Sequence, residues 1–113
     1  MAAITLKETR LRSGRAQEFV QVFIMSDIET KLGQIATVIN QIDDPKVPRN
    51  IRKGAKDACE MWLLNKSKEM DIRIAITQAK LEELYEDPNI PPEFGTLILM
   101  INTELEKLLR ETL

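Results

Sequence analysis

Apolar residues recur along this chain at intervals of three and four, the spacing of one face of an α-helix. Ile28, Leu32, Ile35, Ile39 and Ile42 form the first such stripe and predict a helix over about 27–42. Ser26 or Asp27 opens it, Glu29 suits its first turn, and Asp43-Asp44-Pro45 ends it, because proline cannot continue the hydrogen-bond ladder. A second helix is predicted from near Pro48 to about Leu64, burying Ile51, Ala55, Ala58, Cys59 and Trp62. After the polar connector Asn65-Lys66-Ser67-Lys68, a third runs to about Glu86 and is apolar on two sides. Ile72, Ala75, Ile76 and Ala79 make one side; Ile74, Leu81 and Tyr85 make the other. Such a helix is expected to lie between two neighbours. The fourth, from about Pro92 to Arg110, carries the stripe Phe94, Leu97, Ile98, Ile101, Leu105, Leu108 and Leu109.

The pattern repeats. Asp43-Asp44-Pro45-Lys46-Val47-Pro48 matches Glu86-Asp87-Pro88-Asn89-Ile90-Pro91 at an offset of 43, with three of six positions identical. The same offset pairs Ile42 with Tyr85, Ile51 with Phe94, and Ala58 with Ile101. Each unit reads as helix, proline turn, helix, at a period typical of HEAT-like arrays. Convergent loop chemistry between antiparallel helices would give the same match. The expected fold is all-α, a compact bundle of two HEAT-like helical hairpins over residues 25–113, preceded by an amino-terminal extension, 1–24. In the extension, Ala16, Phe19, Val20 and Phe23 make a short helical stripe, although the β-branched and aromatic run from Phe19 to Ile24 would also suit a strand.

Composition narrows the chemistry. The 113 residues suffice for one core, and 43% hydrophobic with 30% charged residues fit a folded globular domain. There is no histidine and one cysteine, Cys59, which removes His-based acid–base pairs, disulfides within the chain and nearly every zinc or haem site. No cofactor and no metal site is expected. The net charge of −2 divides into +2 on residues 1–24 and −4 on the remainder. The apolar run Phe19 to Met25 is interrupted by Gln21 and too short to span a bilayer, so no membrane association is expected. A lone thiol fits a reducing compartment, and the expected location is cytoplasmic.

The string Val47-Pro48-Arg49-Asn50-Ile51-Arg52-Lys53, followed by Glu86-Asp87-Pro88-Asn89-Ile90-Pro91 and Thr96-Leu97-Ile98, resembles the archaeal uncharacterised protein family zero-one-four-seven. The resemblance covers roughly residues 28–110. It implies a compact all-helical fold and an archaeal source, with no assigned activity.

Lys46, Arg49, Arg52, Lys53 and Lys56 form the densest basic feature, with no acid among residues 45–56. Arg49, Arg52, Lys53 and Lys56 fall at i, i+3, i+4 and i+7, and four cations on one helix face repel each other. The stripe is either an anion site, for RNA phosphate or an acidic protein surface, or a solvated face with acidic neighbours from another helix. Glu82, Glu83, Glu86 and Asp87 cluster near the end of the third helix, either as a weak magnesium site or as a solvated face paired with lysines. Cys59 reads as a small buried hydrophobe, and Trp62 as core. Leu99 and Met100 lie off the main stripe of the fourth helix. Because two repeat units leave terminal faces uncovered, a homo-oligomer is expected with Leu99 and Met100 at its interface. The first functional expectation is a non-enzymatic helical interaction or adaptor protein. The alternative is a ribosome- or RNA-associated factor using the basic face.

Overall fold

The computed structural model describes residues 27–113; the expected extension and its stripe from Ala16 to Phe23 lie outside the described residues. The chain divides into two units, Met1–Lys31 and Leu32–Leu113. In the first, Asp27 and Lys31 pair at 3.4 Å across one helical turn.

The described chain is all-α, with four helices. Residues 27–39 form α1, which tightens into a 3₁₀ turn at Asn40–Ile42. Helix α2, Arg49–Asp57, continues as a π-helical turn, Ala58–Leu63. Helix α3 is Met70–Tyr85 and α4 is Pro92–Thr112. Along the second unit, the end of α1 packs on α2, α2 with its π turn on α3, and α3 on α4. Leu32, Ile39, Ile42, Ile51, Leu63, Ile74, Leu81, Ile98 and Leu105 are fully buried. Each contributes about 1.5–3 kcal/mol by leaving water.

From Asp44 and Asp87 onward the two proline corners share one hydrogen-bond pattern. At the first, the Asp44 carboxylate accepts from Lys46 N at 2.8 Å, and its carbonyl accepts from Val47 N at 2.9 Å. At the other, Asp87 accepts from Asn89 N at 2.8 Å and from Ile90 N at 3.1 Å. The connector between α2 and α3 makes the same turn without proline: Asn65 accepts from Ser67 N at 3.0 Å and from Lys68 N at 3.2 Å. In each case the short Asx side chain takes the place of a backbone carbonyl and accepts from the N–H two residues on. Four residues after each Asx comes an extended N-cap, Pro48, Glu69 or Pro91, whose ψ lies between 142° and 148°. The Asn50 amide also donates to Asp87 at 3.3 Å, tying the start of α2 to the last corner.

Two expectations about the helix faces are corrected. Trp62 is half-buried, and the core position is Leu63. Leu64 N bonds Cys59 O at 2.8 Å, an i→i−5 bond that inserts one residue and advances the buried stripe by one position. Trp62 is left at the surface with the Lys68 ammonium 5.5 Å from its ring centroid. In α3 the side made by Ile72, Ala75 and Ala79 is exposed, with Ile76 half-buried, so this helix is not enclosed on both faces. The buried side holds Arg73, Ile74, Thr77 and Leu81. Thr77 is accommodated by donating its hydroxyl to Arg73 O at 2.7 Å.

Close approach explains one glycine. A Cβ on Gly54 of α2 would stand 2.8 Å from Leu84 Cδ2 of α3, so Gly54 lets these helices meet.

Candidate functional site: a basic hollow and an open helix groove

The basic stripe stands on α2 as its spacing requires. Arg49, Arg52, Lys53 and Lys56 line one hollow of about 590 Å³, together with Ile39, Asn40, Asp43, Ala55 and Glu60. Lys46 is exposed in the preceding corner and is not part of this lining. Two of the four cations have acidic partners: Arg52 Nη1 lies 3.9 Å from Asp43, and Lys53 lies 3.1 Å from Asp57. Those acids come from the preceding turn and from α2 itself rather than from another helix. Among the described residues, Arg49 and Lys56 have no ion-pair partner. Arg52 Nε is buried without an acceptor.

A second concavity, of about 710 Å³, runs between α3 and α4. Ala75 and Ala79 lie on the α3 side and Leu99 on the α4 side, with Gln78, Glu82, Asn102, Glu106 and Arg110 among the other lining residues. Gln78 and Asn102 fix the register of the two helices by exchanging amide-to-carbonyl hydrogen bonds, each 3.3 Å long. Gln78 also donates to Glu106 at 3.2 Å; that bond, then the one from Arg110, holds the Glu106 carboxyl below its usual range. Leu99 is 49% and Met100 62% exposed; Leu99 lines the groove and Met100 lies outside its lining. Apolar spacing assigns Ala75 and Ala79 to a buried face and so does not mark them as groove residues.

The remaining candidates have local roles. Asp87 is engaged by Asn89 and Asn50, and among the described residues no group of three or more Asp, Glu, Cys or His could hold a metal ion. Cys59 is buried with Sγ 4.0 Å from Ala36 O. Burial first, and the charge of Glu60 second, push its thiol up to about 11. Among the described residues, no helix is long and apolar enough to cross a membrane.

The described residues thus define a small all-helical protein with Asx-capped corners. The family model for Uncharacterised protein family (UPF0147) matches residues 20–108, and the chain belongs to that family. It is 42% identical over 91 residues to the UPF0147 protein of Pyrococcus furiosus, covering 79% of this chain and 97% of the relative. The protein of Pyrococcus abyssi is 43% identical over 86 residues, 74% of this chain and 99% of that one. That of Methanopyrus kandleri is 34% identical over 85 residues, covering 74% and 81% respectively. No solved structure matches the chain.

Proposed function

We propose that this protein is a non-enzymatic helical interaction module of the cytoplasm that assembles with itself through the exposed α3–α4 surface. The observation that carries the reading is the groove in which Ala75 and Ala79 lie open beside Leu99. Small side chains between two helices leave room for an incoming apolar side chain, and Leu99 and Met100 are such side chains. The finer architectural reading is two HEAT-like hairpins. Its support is the shared hydrogen-bond pattern of the corners at Asp44, Asn65 and Asp87, and the packing of each described helix in the second unit on its chain neighbours. An array this short leaves end faces uncovered, which favours self-association.

Light scattering on the full chain at about 100 μM, above the Kd of a modest interface, tests the reading. The unmodified protein is expected as a dimer or larger assembly, and the double variant Leu99→Lys, Met100→Lys as a monomer with unchanged helicity. A monomeric unmodified protein, or a double variant of unchanged mass, would overturn it.

A further inference from the structure

The hollow beside α2 has a chemistry that the α3–α4 groove lacks. Arg49, Arg52, Lys53 and Lys56 line it, spanning about 10 Å at the helical rise of 1.5 Å per residue. Only two carboxylates, of Asp43 and Glu60, share the lining, so the hollow is net positive although residues 25–113 as a whole carry −4. Lys53 is engaged by Asp57 at 3.1 Å, whereas Arg49 and Lys56 have no ion-pair partner among the described residues.

Arg52 adds an unmet donor. Its Nε is buried with no acceptor, a state that costs free energy. Its contact with Asp43, at 3.9 Å, is at the outer limit of an ion pair. So loose a contact lets the guanidinium turn its Nε edge toward an incoming oxyanion. A phosphate suits that edge, because two N–H groups in a fixed fork match two of its oxygens.

We propose that this hollow binds the phosphodiester backbone of RNA, with Arg52 as anchor and Arg49 and Lys56 as flanking cations. A strand with a charge on every residue suits cations that recur along one helix face. An acidic protein segment would need apolar anchors as well, and the hollow offers only Ile39 and Ala55. The contacts are to phosphate, so binding follows charge and not base sequence.

The test is a titration of the full chain against a fluorescent 20-nucleotide single-stranded RNA, a DNA of the same sequence, and poly-glutamate. Three neutralised phosphates give a slope of log K against log salt of about −2. The double variant Arg49→Glu, Lys56→Glu changes two exposed side chains and leaves the core intact. It should weaken RNA binding at least tenfold and flatten the slope. Arg52→Lys keeps the charge and loses the fork, and should fall between the two. RNA and DNA are expected to bind within a few-fold of each other. Absent RNA binding, equal binding by the unmodified protein and the double variant, or a salt-independent affinity would overturn the proposal. So would tighter binding of poly-glutamate, which would reassign the hollow to an acidic protein. DNA binding more than tenfold tighter would overturn RNA as the ligand.

Discussion

Arg73 donates two hydrogen bonds to one carbonyl oxygen, that of Leu63, from Nε at 3.1 Å and Nη2 at 2.9 Å. Leu63 is the last residue of the π turn, where the negative end of the helix dipole is unfavourable to bury alone. The guanidinium, 2% exposed, brings positive charge and two donors to that point. Arg73→Met would keep much of the volume and strand the carbonyl. It should cost about 2–4 kcal/mol, and Arg73→Lys, with no fork, should recover only part. Urea denaturation of the two variants checks this; a cost below about 0.5 kcal/mol for Arg73→Met would remove the capping role.

This pair also shows where sequence reading fails. Helical spacing located four helices, and Asp-Pro followed by Pro located two corners. The connector at Asn65 reads as polar, but its likeness to those corners rests on bonds from the Ser67 and Lys68 amides that no residue type announces. A π turn leaves no periodic signature of its own, so helical spacing puts Trp62 where Leu63 stands. Apolar spacing gives the third helix a second buried side at Ile72 and Ala75, whereas the side buried in the fold carries Arg73 and Thr77 beside Ile74 and Leu81. The basic stripe was legible because one face of α2 forms it, whereas the groove between α3 and α4 needs the register of Gln78 against Asn102.

The glycines of α1 and α2 should respond differently to alanine. A Cβ at Gly33 meets nothing within 4 Å, whereas at Gly54 it meets a Leu84 methyl at 2.8 Å. Gly33→Ala should stabilise by about 0.5–1 kcal/mol through helix propensity. At Gly54 the same gain is offset by displacing a methyl at the flexible end of Leu84, so Gly54→Ala should be near neutral. Gly54→Leu should cost about 1–3 kcal/mol by overpacking. Thermal melts of the three variants decide it, and a strongly stabilised Gly54→Leu would contradict the close approach.

Asp87 has one more structural task than Asp44. Both accept from the amide two residues on, but Asp87 also accepts from Asn50. Asp44→Ala should cost about 0.5–1 kcal/mol, and Asp87→Ala about 0.5 kcal/mol more. In a double-mutant cycle, Asn50→Ala and Asp87→Ala should couple by roughly 0.5 kcal/mol. Strict additivity would mean that the bond between the corners contributes nothing in solution.

Cys59 gives a signed pH dependence. Its folded pKa of about 11 stands above the ordinary 9.0, with burial as the larger cause and the charge of Glu60 as the smaller. Between those values the unfolded chain loses the thiol proton while the folded chain retains it. The folded state therefore binds more protons, and stability falls as pH rises through the window. At 1.36 kcal/mol for each unit of difference, the loss approaches roughly 2 kcal/mol near pH 11. Cys59→Ala would cost stability at every pH by leaving a small cavity, yet it would remove this slope. Urea midpoints of both proteins from pH 8 to about pH 10.5 should therefore converge as pH rises. Parallel curves would show that the Cys59 thiolate is as well solvated in the folded chain as in the unfolded one, and would remove the predicted slope.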